Sequence, residues 1–167
     1  MKIAILGSYS TQILAIELKS LSDKFDVYES DFNQIDNEIF NENSKLYLFS
    51  PDLVIIHESS ISFKRQYFNQ KVVNPKYYQA SIQRIEAIVE RLSNLIQNVK
   101  IIYPTIDETR EMTFGNYYYK IPESIDSQIN SYNFYLNEKL KSKRNFFLLD
   151  INNLINQSKN FRDERLV

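Results

Sequence analysis

The chain lacks cysteine entirely and has one histidine and two glycines in 167 residues, and each shortage excludes a kind of chemistry. Without cysteine, a disulfide scaffold, a thiol nucleophile, a thiolate zinc site and an iron–sulfur cluster are all excluded. His57 alone cannot build a histidine-rich metal site. Gly7 and Gly115 are too few for a glycine-rich phosphate loop or dinucleotide fingerprint. The sequence therefore predicts neither a cofactor nor a bound metal.

The charge of the chain is almost balanced, with 20 Lys and Arg against 21 Asp and Glu and a net charge of −1. Nucleic acids and anionic membranes bind basic surfaces, so we expect neither as a partner. No stretch has the apolar core of roughly 7–15 residues typical of a signal peptide, nor the about 20 residues of a membrane span. These observations predict a cytoplasmic protein.

Short apolar runs alternate with helical patterns along the chain. The runs predict five strands, at Ile3–Leu6, Phe25–Tyr28, Leu53–Ile56, Val99–Tyr103 and Phe146–Leu149. Apolar residues at helical spacing predict helices at Leu14–Leu21, Ile35–Ile39, Leu46–Phe49, Tyr78–Ile96 and Ile125–Leu140, with a short helical turn after Asp150. Phe63, Tyr67 and Phe68 fit one side of a further helix, but the stretch 61–74 stays ambiguous.

Three details of these elements follow from residue type. Thr11 has a hydroxyl that can cap the first helix, and Pro75 suits the first position of the long helix. Residues 105–121 show no period, so they are predicted to form a long loop. Its tyrosines, Tyr117–Tyr119, can stack on a flat ligand or cover a pocket as a lid, but we favour their packing against the sheet.

The alternation of strands and helices predicts a doubly wound α/β fold of three layers, α/β/α, around a five-stranded parallel sheet. We expect one domain over residues 1–155. Residues 156–167 are polar and charged, and we expect them to be a tail or the start of a linker to a further domain.

Open α/β sheets bind ligands at the carboxyl ends of their strands, which gives a list of candidate site residues. The candidates are Gly7, Ser8, Tyr9, Ser10 and Thr11 after the first strand, His57, Glu58, Ser59 and Ser60 after the third, Tyr103, Pro104 and Thr105 after the fourth, and Asp150, Asn152 and Asn153 after the fifth. Because these strand ends share one edge of the sheet, the sequence predicts a polar pocket there.

Two interpretations of this pocket stay open. Ser8 or Ser10 can act as nucleophile, with His57 as base and Glu58 or Asp150 as the carboxylate of a rearranged hydrolase site. Alternatively, the serines satisfy turns and caps, and His57 is a structural residue with hydrogen bonds of its own. A carboxylate magnesium site from Glu58 and Asp150 is chemically possible, but nothing in the spacing demands it.

The blocks at the strand ends resemble those of the SGNH/GDSL hydrolases. In that family the turn after the first strand carries Gly-Asp-Ser, but here it reads Gly7-Ser8-Tyr9, with tyrosine in place of the nucleophile. The block from His57 to Ser60 lacks the family's glycine and asparagine, and Asn153 stands where the family has its histidine base. The resemblance implies the SGNH fold, with its strands in flavodoxin-like order, without the hydrolase chemistry.

A second resemblance covers the whole chain. The opening I-A-I-L-G-S-Y-S-T-Q-I-L-A, the segment Asn43–Ile56, and Asp150–Leu154 followed by Phe161–Arg165 are similar to the N-terminal domain of FkbH-like proteins. In such proteins this degenerate domain precedes a domain of the HAD superfamily. The HAD signature Asp-x-Asp-x-Thr is absent here, so any phosphatase or glyceryl-transfer activity is expected to belong to that further module.

The resemblance implies a non-catalytic, pseudoenzyme-like module. We expect it to bind a substrate, an acyl carrier protein or its own downstream HAD domain. A small-ester hydrolase or acyl transferase with a rearranged serine–histidine site is the first alternative. A purely structural interaction domain, whose cleft is filled by side chains, is the second.

Overall fold

Five parallel strands form the sheet of the computed structural model, which describes residues 1–72, 74–107 and 114–157. The strands are β1 (Lys2–Gly7), β2 (Asp26–Glu29), β3 (Leu53–His57), β4 (Lys100–Pro104) and β5 (Phe146–Leu149). They lie in the order β2-β1-β3-β4-β5, and all four pairings are parallel. The predicted fold class and strand order are confirmed.

Seven α-helices and one 3-10 helix lie in the described part of the chain. The helices are α1 (Gln12–Leu21), α2 (Ile35–Phe40), α3 (Lys45–Phe49), α4 (Ser60–Phe68), α5 (Tyr78–Leu95), α6 (Ile125–Leu140) and α7 (Ile151–Gln157), and the 3-10 helix is Gly115–Lys120. The ambiguous stretch after residue 60 is therefore helical up to Phe68. Helix α7 runs into the predicted tail, of which 158–167 lie outside the described residues.

The central strands explain the two-sided core. Successive side chains of a strand point to opposite faces, so a continuous apolar run needs cover on both. Ala4, Leu6 and Val54 pack into a large cluster with residues of α2–α6, whereas Ile3 and Ile5 pack with α1 on the other face. The sheet is therefore the middle of three layers.

The long helix α5 is the principal support of the larger cluster. Its buried residues recur at three- and four-residue intervals and line one stripe, comprising Ile82, Ile85, Ile88, Val89 and Leu92. This stripe packs within the same cluster as the sheet and α6. The opposite stripe is polar, so α5 has one face toward the core and one toward solvent.

The start of α5 differs from the expectation. The helix begins at Tyr78, so Pro75 is not its first residue, and that prediction is wrong. The Asn74 side chain accepts a hydrogen bond from the Lys76 amide at 2.9 Å, and the Tyr77 amide donates to the Asn74 carbonyl at 3.1 Å. This turn around Asn74 competes with the helix and delays its first residue.

The long loop predicted over 105–121 is also partly wrong. Gly115–Lys120 form a 3-10 helix, whereas 108–113 lie outside the described residues. Gly115 has φ +50°, a left-handed conformation that glycine adopts without strain. Tyr117 and Tyr119 are 68% and 65% exposed, so these two do not pack against the sheet as expected. Lys120 lies over both rings and holds them at the surface.

The strand order creates the place where a site can form. The chain passes from β1 outward to β2 and then returns to β3 on the other side of β1, so the order reverses between β1 and β3. Gly7 at the end of β1 pairs in register with His57 at the end of β3. The segments after these two residues therefore diverge from one point, and a crevice opens between them.

One further property of the helices can be stated. Among the helices in the described ranges, none is both long enough and apolar enough to pass through a bilayer. The cytoplasmic location stays a prediction.

Candidate functional site

Tyr9 and His57 meet at the switch point of the sheet. The Tyr9 hydroxyl lies 2.6 Å from Nδ1 and 2.7 Å from Nε2 of His57, and the two ring centroids are 4.8 Å apart. Because β1 and β3 are adjacent, the first residues after Gly7 necessarily come close to the end of β3. Within the described residues, the His57 ring has no hydrogen bond to a serine hydroxyl. The tyrosine occupies the position that a nucleophile would need.

Burial favours the neutral form of both side chains of this pair. Burial lowers the pKa of His57 and raises the pKa of Tyr9, so both side chains are neutral at pH 7. A neutral imidazole has one nitrogen that accepts a hydrogen bond, and the phenol has one proton to donate. The phenol can therefore donate to only one of the two ring nitrogens, and within the described residues no carboxylate hydrogen-bonds to the ring.

The predicted serines and Thr11 serve the turns around this pair. Ser8 Oγ accepts a hydrogen bond from the Ser59 amide at 2.8 Å, which ties the loop after β1 to the loop after β3. Ser59 in turn is the N-cap of α4, and its hydroxyl accepts from the Ile61 amide. Ser10 is exposed.

Thr11 stands at the N-cap of α1 but does not cap it with its side chain, so that prediction is wrong. Its buried hydroxyl donates to Glu29 Oε1 at 2.7 Å, at the end of β2. The loop after β1 is thereby attached to both neighbouring strands.

Gly7 is required by the close approach of this loop. A Cβ atom at Gly7 would lie 2.5 Å from Cγ2 of Thr11 and 2.7 Å from the carbonyl oxygen of Tyr9. The second contact is with backbone, which can move only if the turn moves. Gly7 therefore fixes the path that places Tyr9 against His57.

A second group of polar residues lies beside the first and is centred on Glu58. Arg84 of α5 donates from Nη1 to Glu58 Oε1 at 2.6 Å and from Nη2 to Asp36 Oδ1 at 2.6 Å. The other Glu58 oxygen accepts from the Tyr103 hydroxyl at 2.5 Å, and Tyr132 donates to Tyr103 at 3.0 Å. We call these five residues the Arg84 network.

The surroundings of Arg84 and Tyr103 fix the protonation states of these two residues. Burial lowers the pKa of Arg84, but the hydrogen bonds and charges of Asp36 and Glu58 together raise it by more than burial lowers it. The net shift of the Arg84 pKa is therefore upward. Burial, the neighbouring Tyr132 and the charge of Glu58 raise the pKa of Tyr103. Arg84 is therefore a cation and Tyr103 a neutral hydrogen-bond donor throughout the physiological range.

Two cavities adjoin these groups. The inner cavity, about 190 Å³, is lined by Ser8, Asn33, Asp36, Glu58, Ser59, Ser62, Phe63, Gln66, Ser81, Arg84, Tyr103, Pro104, Ile106 and Tyr132. The outer cavity, about 440 Å³ and more open, is lined by Tyr9, His57, Glu58, Ser59, Ser60, Ile61, Pro104, Thr105, Ile106, Asp107 and Ile151. Glu58 and Ser59 border both cavities, so the two cavities lie on either side of the same residues.

The candidates Asp150 and Asn153 after β5 do not line the inner or the outer cavity, although Ile151 between them lines the outer one. Asp150 precedes α7, and its Oδ1 accepts a hydrogen bond from the Asn153 amide at 3.0 Å, as an N-cap residue does. Asp150 lines a third cavity, whereas Glu58 lines the inner and outer cavities. In the described ranges, no group of three or more metal-ligating side chains comes together. The structure does not unite Glu58 and Asp150 as a magnesium site would require.

A comparison against protein families finds one match over nearly the whole chain. The model of the FkbH N-terminal domain matches residues 2–166 of the chain. The chain belongs to this family. The FkbH resemblance of the opening strand, of the segment before β3 and of the C-terminal residues is therefore confirmed.

Solved structures similar to this FkbH N-terminal domain support the fold. The N-terminal part of the protein BF1531 from Bacteroides fragilis, which contains a phosphatase domain and is complexed with Mg, has a TM-score of 0.84 at 22% identity. The match covers 94% of this chain and 42% of that one, so the domain spans less than half of its neighbour. The likeness shows a shared fold.

An acetyl xylan esterase matches at a TM-score of 0.48 and 18% identity, over 94% of this chain and 83% of that one. A likeness of that size has no bearing on function. No curated protein matches the chain.

Sequence reasoning missed most of the Arg84 network. Glu58 and Tyr103 were both expected at the same edge of the sheet, but Asp36, Arg84 and Tyr132 were not connected with them. Arg84 lies beside the apolar stripe of α5, where a cation is ordinary, and Asp36 is 48 residues away. The available signal was Tyr103, a tyrosine at the end of a buried strand, because a buried phenol needs a hydrogen-bond partner.

Proposed function

We propose that this domain is a non-catalytic binding module of a larger FkbH-like protein and works beside a phosphatase-type domain of the HAD superfamily in the same chain. The observation that carries the proposal is the hydrogen bond between Tyr9 and His57. A serine hydrolase needs the imidazole within about 2.6–3.2 Å of the nucleophile, and here the tyrosine hydroxyl takes that position.

The placement of the serines supports the same proposal. The Ser8 hydroxyl holds the amide of Ser59, and the Ser59 hydroxyl caps α4. Neither has the histidine partner that would remove its proton, and an unactivated hydroxyl is a weak nucleophile. Asp150, one candidate carboxylate of the alternative hydrolase site, caps α7.

The two cavities favour binding over a purely structural role. A domain that serves only as a scaffold is expected to fill its strand-end crevice with side chains. Here the crevice has an inner cavity of about 190 Å³ and an outer one of about 440 Å³, both bordered by Glu58. A small molecule is the occupant that such cavities favour, and an acyl carrier protein at the outer one is compatible with the same arrangement.

The partner domain is proposed from the solved neighbour. In the Bacteroides fragilis protein, the region similar to this chain belongs to a structure that contains a phosphatase domain. A binding module beside a catalytic domain can hold the part of a substrate that does not react. Transfer or hydrolysis would then belong to the catalytic domain.

The proposal predicts that the chain does not hydrolyse short acyl esters. Wild type, His57→Ala and Tyr9→Phe should all release p-nitrophenol from p-nitrophenyl acetate at the rate of buffer alone. A general base contributes about 10²–10⁴-fold to a rate, so a working His57 would be obvious in this assay. A wild-type rate above buffer that His57→Ala lowers by about 10²-fold or more would overturn the proposal.

A further inference from the structure

The inner cavity has a wall of fixed polar groups that no step of the hydrolase-like site uses. Glu58 forms that wall, held by Arg84 on one oxygen and by Tyr103 on the other. Tyr103 is only 2% exposed and its hydroxyl accepts a hydrogen bond from the buried Tyr132. The hydrogen bonds that orient Glu58 therefore begin at side chains of the core. A carboxylate oriented in this way cannot turn to follow a ligand.

Glu58 still has capacity to bind. Each carboxylate oxygen accepts about two hydrogen bonds, and each oxygen of Glu58 accepts one from the protein. The cavity places Ser62 of α4 and Ser81 of α5 along its lining, and a hydroxyl both donates and accepts. A ligand in the cavity therefore meets a carboxylate and hydroxyls together.

The charge of the lining discriminates between ligands. Asp36 and Glu58 are negative and Arg84 is positive, so the charged groups that line the cavity sum to −1. Arg84 is already engaged by both carboxylates at 2.6 Å. A phosphate or carboxylate ligand would have to compete with them for the guanidinium and would be repelled by the excess charge. The cavity is unsuited to an anion.

The size of the cavity limits the ligand further. A cavity of about 150 Å³ holds a benzene molecule, so the 190 Å³ measured here suits a molecule of similar bulk. The carboxylate of Glu58 and the hydroxyl oxygens of the lining all accept hydrogen bonds, so they favour a molecule with several hydrogen-bond donors.

We propose that the inner cavity binds the compact head of a cationic or neutral small molecule, an amino alcohol or a polyol, which donates hydrogen bonds to Glu58. This inference rests on the proposed binding function and names the class of ligand. It does not require that the ligand react.

Three probes of similar size and different charge test the inference on the full chain. The ¹⁵N-labelled protein is titrated with 2-amino-1,3-propanediol, glycerol and inorganic phosphate, and the amide shifts of Ser59, Ser62 and Ser81 are followed by NMR. The aminodiol should bind saturably and at least about tenfold more tightly than phosphate, since a single charge interaction easily supplies that factor. Glycerol should lie between them.

A variant that fills the cavity separates this site from general surface binding. Ser81→Leu should abolish saturation by the aminodiol, and Ser62→Leu should do so from a different helix. Ala87→Leu is the matched control, because Ala87 is exposed on the same helix and does not line the cavity. The control should bind as wild type does.

Three results would overturn the inference: no saturable shift with the aminodiol, tighter binding of phosphate, or unchanged binding in a folded Ser81→Leu or Ser62→Leu variant. Each result is distinct from a failure of the proposed function. Ester hydrolysis that depends on His57 would refute the non-catalytic role and leave the aminodiol site intact.

Discussion

Replacing Arg84 with methionine is expected to lower the free energy of unfolding by about 2–3 kcal/mol. The change leaves Glu58 without its cation in a site where only 25% of that side chain is exposed. Removing one partner of a buried ion pair costs about 3–5 kcal/mol, and the remaining access of water reduces this figure. Urea denaturation followed by circular dichroism measures the difference.

Arg91→Met is the matched control for this prediction. Arg91 lies two turns further along α5 and its side chain is 33% exposed, as that of Arg84 is, but its ion pair is with Glu42, which is 65% exposed. A pair of that kind contributes about 0–1 kcal/mol. Equal losses of unfolding free energy in the two variants would show that the buried Arg84–Glu58 pair stabilises the fold no more than a surface ion pair does.

Replacing Leu92 with alanine is expected to lower the free energy of unfolding by about 2–5 kcal/mol, the range for truncating a fully buried leucine. Leu92 has no exposed surface and packs in the cluster that α5 shares with the sheet and α6. The transition in urea should move to lower concentration while its slope stays the same, because the fold is retained.

Leu95→Ala provides the control on the same helix. Leu95 is 41% exposed, and alanine is at least as good a helix former as leucine. We expect a change within about 0.5 kcal/mol for a surface position of this kind. Comparable losses for Leu92→Ala and Leu95→Ala would show that α5 is not packed as described.

The elements that the sequence predicted well share a simple cause. β1 and β3 are short apolar runs bounded by turn residues, and α5 repeats its apolar residues over 18 positions. Such patterns arise from burial itself, so they are visible before any contact is known. The alternation of strands and helices predicts a parallel sheet, whereas its flavodoxin-like order was implied by the resemblance to the SGNH hydrolases.

The errors at Thr11 and Pro75 have a different cause. Both residues are suited to a helix start, but a hydroxyl or a turn can be used elsewhere. Thr11 donates to Glu29 across two strands, and the turn at Asn74 delays α5. Local preference is worth about 1 kcal/mol, so a tertiary contact of equal size decides the outcome.

The sequence predicted where the candidate site lies but not all the residues that form it. Gly7 and His57 were expected to share one sheet edge, and they are paired in register. The contribution of α5 was not predictable, because a helix pattern shows which side chains leave the core and not what they meet. Arg84 is a surface-like residue by sequence and reaches Glu58 only through the packing of α5 on the sheet.

The central claim is that no serine of this crevice is activated, and labelling by a fluorophosphonate tests it most directly. Such a probe reacts with serine hydroxyls that a base has activated, and a serine esterase serves as the positive control. Mass spectrometry of the labelled chain should find Ser8 and Ser10 unmodified, in wild type and in His57→Ala alike. Stoichiometric labelling of either serine in wild type, lost in His57→Ala, would contradict the account.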